Sequence, residues 1–468
     1  PVEPPIGKES LYATQFKNLP IGQMEEKFAD YGEVQIKQLN DRSKMYYTPN
    51  KENNVFQLVV QYGAGEREFP KLGYAAQLMN NAGIMGAYEP QELKEELSKL
   101  NATCHVTADD DNLYIIMEGY EATLPQACQL LSRQILMPKL DEKQLARLKG
   151  SAMGMRQQRK DNVSILNEAL RQYMLYGEKS DYIKELTDKE IYELQISELT
   201  GDINRASNYE AKVFFTGTLP FDQVYDILSK NLPLVANERP SNSPQAKDMM
   251  PVTENTVYFL PNNDAEQAQI HLYIPMQKAD KKDDVLRSAF NQYFGLDFTG
   301  IVLNEIREKR SMAYTAYAFV GTQGIAGKAS YLRGYIGTQN DKANDALDVL
   351  MGLVNDMPKN PERIDNIKSY LRQAMLTSHP SFRNKAMELV DLGYRGYTDD
   401  PAKENLPKVD ALTFDDIVKF YEENIKDKPY CISIMGNPKN IDLKRLEKFG
   451  KVVKLNERKL FNTKDALF

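Results

Sequence analysis

A weak internal repeat constrains this chain more than any other feature of its sequence. Met137-Pro138-Lys139 opens a helix-like segment with Glu142, and Met357-Pro358-Lys359 opens another with Glu362, 220 residues further on. The apolar run Val213-Phe214-Phe215-Thr216-Gly217 is echoed by Ile432-Ser433-Ile434-Met435-Gly436, with Gly217 and Gly436 219 residues apart. Proline near a helix start and glycine after a strand are common punctuation taken singly. Two anchors in the same order at matching offset point to a duplicated unit. Between the copies lies Pro233 to Asn255, with four prolines, several Asn and Ser and no helical or strand periodicity, which reads as an interdomain linker. The units are therefore expected at 1–232 and 256–468, within the two to four domains that 468 residues allow at about 150 residues each.

Each half mixes two periodicities in the same order. Gln35–Leu39, Met45–Thr48, Val55–Gly63 and Leu113–Gly119 read as strands in the first half, and helical windows follow near 121–136, 141–158, 163–175 and 188–205. In the second half the strands are Thr256–Leu260, Gln269–Pro275, Ala313–Val320 and Tyr331–Gly337, with helical windows near 282–308, 341–356, 361–376, 383–392 and 413–425. Strands grouped together and then helices predict an α+β fold of two similar domains, each a largely antiparallel sheet with helices packed on one face. A doubly wound parallel sheet would alternate more strictly.

Composition removes several function classes. Apolar residues make up 42% and charged residues 27%, which suits a chain with packed cores and argues against a disordered or low-complexity one. The net charge is −7 and no long Lys/Arg block occurs, so a nucleic-acid footprint is missing. No window approaches eighteen consecutive apolar residues, so no membrane span is expected. The chain opens Pro1-Val2-Glu3 without Met, and an upstream segment is expected to have been removed with any targeting signal it held. Localisation stays open, with a bacterial periplasm or cell envelope preferred to the cytoplasm.

Chemistry-bearing motifs are sparse. Cys104, Cys128 and Cys431 are an odd count without Cys-x-x-Cys spacing and read as buried free thiols. His105, His271 and His379 each stand more than 100 residues from the next, so no two share a helix face toward a metal; His105 and His271 read as strand residues in alternating patterns and His379 as part of a helix-ending Ser-His-Pro. Nucleophile-elbow, Walker and dinucleotide-binding patterns are absent. The stretch Gly321-Thr-Gln-Gly324-Ile-Ala-Gly327 is spaced as a hairpin connection with nothing to hold phosphate.

One segment stands apart: Phe294-Gly295-Leu-Asp-Phe-Thr-Gly300-Ile-Val-Leu303-Asn-Glu305-Ile306-Arg307-Glu-Lys-Arg310-Ser-Met-Ala313-Tyr314. It resembles the pitrilysin family of inverted zincins, which includes insulin-degrading enzyme and mitochondrial processing peptidase, through the pattern Ile/Leu-Arg-Glu-x-x-Gly/Ser-x-Ala-Tyr, which Ile306 to Tyr314 match. Further back, Asn50 after Tyr46-Tyr47-Thr48, Val59–Gly65, Gly73–Asn80, Gly83 and Asn101-Ala102 are similar to the opening domain of that family. With the duplicated halves, the resemblance covers most of the chain and implies a processing-peptidase-like duplicated α/β roll.

Active members carry His-x-x-Glu-His on the helix after the second long strand, where two His and a distal Glu hold zinc and the first Glu activates water. Here the corresponding helix reads Gly73-Tyr74-Ala75-Ala76-Gln77-Leu78-Met79-Asn80, so Ala76, Met79 and Asn80 stand where the first His, the catalytic Glu and the second His belong. No His or Glu lies between Phe69 and Tyr88, so a shifted alignment restores neither ligand nor base. The resemblance therefore implies the noncatalytic half of a zinc endopeptidase, inactive alone, with no cofactor in this chain and the zinc in a partner half that is fused or separate. It further implies that the chain helps form a chamber for peptide substrates and that Arg307 and Tyr314, seven residues apart, act in trans. Arg307 would position the peptide backbone and Tyr314 would donate to the oxyanion. From the residues alone, Arg307 also reads as one more solvated basic group among Glu305, Glu308, Lys309 and Arg310, and Tyr314 as an ordinary strand aromatic. The alternative functions are a non-proteolytic scaffold or assembly subunit of the same fold, and a stand-alone peptide-binding module that uses exposed sheet edges.

Overall fold

The computed structural model describes residues 25–295 and 299–464, together with Leu11, Tyr12 and Gln15. Its first half contains β1 (Gln35–Gln38), β2 (Lys44–Pro49), β3 (Val55–Tyr62), β4 (Gly83–Ile84), β5 (Ala102–Ala108), β6 (Leu113–Tyr120), β7 (Pro138–Lys139) and β8 (Ala211–Gly217). The second half contains β9 (Thr256–Pro261), β10 (Gln267–Lys278), β11 (Ala313–Thr322), β12 (Ala329–Gln339), β13 (Cys431–Gly436) and β14 (Lys451–Lys454). Two six-stranded sheets result, ordered β1-β2-β8-β3-β6-β5 and β14-β9-β13-β10-β12-β11, and β4 pairs with β7 apart from them.

These two orders are the same order. β2, β3, β5, β6 and β8 correspond to β9, β10, β11, β12 and β13, and in both sheets the central pair β2–β8 or β9–β13 is parallel while β3–β8, β3–β6, β5–β6 and their counterparts are antiparallel. The glycine anchors fall at one register position, since Pro49 pairs with Gly217 and Pro261 with Gly436. A side chain at either glycine would collide with a capping group, Glu121 in one half and Asn340 in the other. Glu121 accepts from the N–H of Thr218, and Asn340 accepts from that of Asn437 at 2.8 Å. The proline anchors both follow the helix after the third long strand, Leu124–Leu136 or Ala343–Asn355, although only Pro138 joins a strand.

Each sheet buries its inner face under its own helices. In the first half Leu124, Ala127, Cys128, Leu131 and Ile135 recur at helical spacing and meet Phe56, Leu58 and Phe215 in one core. In the second, Val285, Ala289 and Phe290 of helix Asp284–Phe294 join Ile417 and Phe420 of helix Phe414–Asn424 over Ile270 and Leu272. The expected α+β architecture is therefore present, with one correction: helices cover both faces. Helix Val163–Tyr176 of the first half lies on the outer face of the second sheet, where Leu166, Ala169 and Leu170 pack with Leu260 and Met435. Reciprocally, Ala386, Met387 and Val390 of helix Lys385–Tyr394 cover Tyr46, Val59 and Phe214 of the first sheet. The reason is visible in the central strands, whose runs such as Val213-Phe214-Phe215 are apolar on both sides and must be buried on both.

The chain ends are exchanged in the same way. The N–H of Ala29 donates to Asp400 at 2.6 Å, and Ala29 and Tyr31 pack with Leu392 and Tyr397. Phe461 meets Tyr182 edge-on at 5.5 Å, and Asn462 donates to the Glu185 carbonyl at 2.8 Å. Helix Phe221–Asn231 and β9 bound the Pro-rich connection, which is fastened down: Lys247 pairs with Asp110 at 3.0 Å and with Asp181, and Met249 and Val252 pack near Tyr273. Other differences from the sequence reading are local. β5 was expected only as a strand around His105, helices Pro90–Lys99 and Pro401–Ala411 were not anticipated, and the window 282–308 divides into helix Asp284–Phe294 and a separate turn.

Candidate functional site

The segment singled out in the sequence forms a tight reversal into the edge strand of the second sheet; its residues 296–298 lie outside the described residues. One α-turn, Ile301–Leu303, runs into a π-helical turn, Asn304–Glu308, where the N–H of Lys309 reaches the Asn304 carbonyl five residues back at 2.9 Å. Wide turns of this kind are uncommon and often sit at functional sites. Ser311 holds φ at +49°, a conformation few non-glycine residues adopt. Its N–H bonds the Arg307 carbonyl at 2.8 Å, and that of Met312 bonds Ile306 at 2.9 Å.

β11 then begins with a bulge. Ala313 opposes Thr338 and Thr315 opposes Gly337, so Tyr314 is an extra residue without a cross-strand partner. Ala316, Ala318 and Val320 point into the core, and simple alternation would bury Tyr314 with them. The bulge turns it out, leaving the ring 78% exposed, and among the described residues its hydroxyl has no hydrogen-bond partner. Tyr314 is thus not an ordinary strand aromatic.

Arg307 is set apart from its basic neighbours. Glu305 binds Lys309 at 2.6 Å and also takes Arg310. Burial raises the Glu305 pKa, but these hydrogen bonds outweigh it and hold the carboxyl below its usual range. Arg307 instead stacks over the Tyr314 ring with its guanidinium carbon 5.0 Å from the centroid, and approaches Glu308 at 3.4 Å. The structure therefore brings the two expected site residues together on one surface. Behind them runs a row the sequence reading missed: Tyr317 opposes Tyr335, which opposes His271 on β10, at ring separations of 5.3 and 5.1 Å. Its signal, aromatic residues at matched positions of three strands, needs the register to be seen.

His271 ends this row under the exchanged helix. It is 2% exposed, with Nε2 3.0 Å from Asn167 Oδ1. Burial, with Arg333 and Arg171 nearby, pushes its pKa down to about 3, so the ring is neutral at neutral pH. His105 is exposed on β5, and His379 is exposed just beyond helix Ile364–Thr377. Burial pushes the thiols up, Cys104 and Cys128 to about 12 and Cys431 to about 11, which makes them poor nucleophiles.

The helix aligned with His-x-x-Glu-His is Leu72–Met79. Ala76 and Met79 are buried in the core, and Asn80 binds the backbone of β5 on both sides, donating to the Val106 carbonyl at 2.9 Å and accepting from its N–H at 2.8 Å. Asn291 does the same for Val320 of β11, at 3.0 and 2.6 Å. The position of a zinc ligand in the resembled family is here occupied by a structural clamp that the second half repeats. These residues do not fit a metal, and no group of three or more His, Cys, Asp or Glu that could hold one occurs among the described residues.

A duplicated α+β sheet pair, a helix without metal ligands where the resembled family carries its zinc motif and an exposed Arg–Tyr turn fit the resemblance to a noncatalytic peptidase half. Comparison with known proteins agrees: residues 207–371 match the peptidase M16 inactive domain. No curated protein sequence matches. Among solved structures, a peptidase M16 inactive domain from Pseudomonas fluorescens superposes with a TM-score of 0.67 at 17% identity, over 87% of this chain and 99% of that one. The ferredoxin protease FusC, in complex with Arabidopsis ferredoxin, gives 0.67 at 12% identity over 91% of this chain and 49% of its own. The periplasmic protease PqqL from Escherichia coli gives 0.60 at 13%, over 91% and 50%. The chain thus spans about half the length of these two proteases. The match over 207–371 and the fold of the described residues support a noncatalytic member of the M16 family.

Proposed function

We propose that this chain, with units at 1–232 and 256–468, is the noncatalytic half of an M16-type endopeptidase and closes a peptide chamber against a zinc-bearing half. The observation that carries the reading is the bulge that lifts Tyr314 out of the sheet beside Arg307. The partner half supplies the hydrolytic metal centre. In this chain, the forked donors of Arg307 fix a peptide carbonyl in place, and the Tyr314 hydroxyl donates to the carbonyl oxygen as negative charge develops on it. The row Tyr317, Tyr335 offers a stacking wall behind the pair. That two structural neighbours are proteases about twice as long supports pairing with a second half, and the periplasmic one supports placement in the periplasm or envelope.

Reconstitution with the zinc-bearing half tests this. Tyr314→Phe is expected to lower kcat by about 10²–10³ with thermal stability nearly unchanged, because it removes one donor from a developing oxyanion. Arg307→Ala is expected to raise KM as well as lower kcat. Activity indifferent to both substitutions would reject the proposal in favour of a non-proteolytic scaffold.

A further inference from the structure

Beyond Tyr314 the outer face of the second sheet is a grid of matched side chains. Between β11 and β12, Thr315 opposes Gly337, Tyr317 opposes Tyr335, Phe319 opposes Arg333 and Gly321 opposes Tyr331. β10 extends these rows, with His271 beside Tyr335 and Tyr273 beside Arg333. Arg333 is therefore ringed by aromatic positions: Phe319 and Tyr273 flank it across the strands, and Tyr331 and Tyr335 lie two residues away on the same face of β12. Helix Val163–Tyr176 covers His271 and Tyr273, through Asn167 and through Met174 and Leu175, whereas Tyr317, Phe319, Arg333 and Tyr335 are only half-buried.

The guanidinium at the centre of this ring is unpaired. Its Nε is buried without a hydrogen bond, and among the described residues no carboxylate pairs with it. Glu168 lies within electrostatic reach but is taken by Arg171, which donates to it from Nε at 2.6 Å and also from Nη2. His271 is neutral, so two arginines face one glutamate and a positive charge is left unmatched. A cation held among rings loses water that would otherwise compensate it, which makes the missing partner costly. The group this arrangement lacks is a carboxylate, which a guanidinium binds through two parallel N–H donors. The surrounding rings suit an aromatic neighbour on the same molecule.

We propose that Arg333, with Tyr317, Phe319 and Tyr335, binds the carboxylate of an acidic peptide and the aromatic residue beside it. That the carboxylate arrives on a peptide rests on the proposed chamber; the unmatched charge does not. Phe319 and Arg333 lie one bulged stretch of strand beyond Tyr314, about 15 Å at roughly 3.3 Å per residue, so the carboxylate falls about four or five residues from the bond that Tyr314 addresses. Thr315 and Gly337 are small and leave the way between them open. A side-chain carboxylate and a peptide C-terminus share this chemistry, and the test separates them.

Binding is measured by calorimetry on the full chain without a zinc-bearing half, so a failure here leaves the chamber reading standing. Three peptides are compared: acetyl-Ser-Glu-Phe-Ser-amide, its neutral counterpart acetyl-Ser-Gln-Phe-Ser-amide, and acetyl-Ser-Gln-Phe with a free C-terminus. At low ionic strength a carboxylate peptide is expected to bind about tenfold more tightly than the neutral one, and whichever does so identifies the source. Arg333→Gln is expected to abolish that preference without changing the affinity for the neutral peptide, and Phe319→Ala to weaken all three alike. Where Arg333→Gln fails to fold, Arg333→Lys, which keeps the charge and loses the fork, is expected to retain only part of the preference. No binding, equal binding by the three peptides, or a preference undiminished by substitution of Arg333 would overturn the proposal.

Discussion

The two halves share strand order, register at their glycines and an asparagine clamp on the edge strand, yet they finish that edge in opposite ways. The second half fills it with the Gly295 carbonyl and builds the π-turn that carries Arg307 and Tyr314. The first leaves the outward backbone N–H and C=O of Cys104 without a partner among the described residues, beside a cleft. The outer ends differ as well, because β1 runs antiparallel to β2 whereas β14 runs parallel to β9. What the copies keep is the layer that packs, and what they vary lies at the sheet margins, where a change costs little core.

The strongest way to break this comparison is to ask whether the halves are separate bodies. Leu170 is fully buried on the second sheet and Phe214 is 4% exposed on the first, each covered by the other half. Leu170→Ala and Phe214→Ala are each expected to cost about 2–5 kcal/mol and to shift one common unfolding transition, read by calorimetry. Two transitions, with only one displaced by each variant, would show the halves melting apart.

Acid should act on the second sheet more than on the first, through His271. The unfolded chain takes up this proton near pH 6.5, the folded one not until about 3, so stability falls as pH drops from 6.5. About 2 kcal/mol is expected to go by pH 5. Asn167, Arg171, Arg333 and Tyr335 face the ring, and no carboxylate is among the groups that act on it to reverse the sign. Denaturant titrations of His271→Gln across this range should show a shallower loss, and an unchanged slope would refute the assignment.

The clamps sharpen the comparison at a finer scale. Asn291→Ala is expected to cost about 2 kcal/mol, since the freed Val320 groups are enclosed by the chain around Gly295, and Asn80→Ala about 1 kcal/mol, since the cleft admits water to Val106. Equal costs would mean that the first edge is as closed as the second. Smallest of all, Ser311→Gly should stabilise the second half by under about 1 kcal/mol by relieving its positive φ, visible as a small rise in Tm.

Much of the fold was legible because duplication left marks at positions with strict steric demands. Gly217 and Gly436 cannot carry a side chain beside Glu121 and Asn340, so they survive as landmarks. The long strands of the second half were equally plain, with Ala313–Val320 and Tyr331–Gly337 inside β11 and β12. β5 was marked only through His105, because an edge strand exposing Thr103, His105 and Thr107 lacks a strong apolar alternation. The helices 163–175 and 383–392 were seen, but amphipathic spacing reveals that a face is buried and not what buries it. At the site, Arg307 and Tyr314 were found by pattern alone; the bulge that exposes Tyr314 and the pairing of Tyr317 with Tyr335 are properties of register, which no single strand encodes.

The exchange of helices and chain ends bears on where such a molecule comes from. A single copy, alone, would have had a bare apolar sheet face and a loose amphipathic helix, and the simplest way to satisfy both is for two identical copies to trade helices about a twofold axis. Joining two such copies end to end would turn an obligate dimer into one chain, with Pro233 to Asn255 as the seam. Fusion also frees each copy from having to match the other, which a symmetric dimer can never escape, and so permits one edge to acquire a turn while its twin stays open.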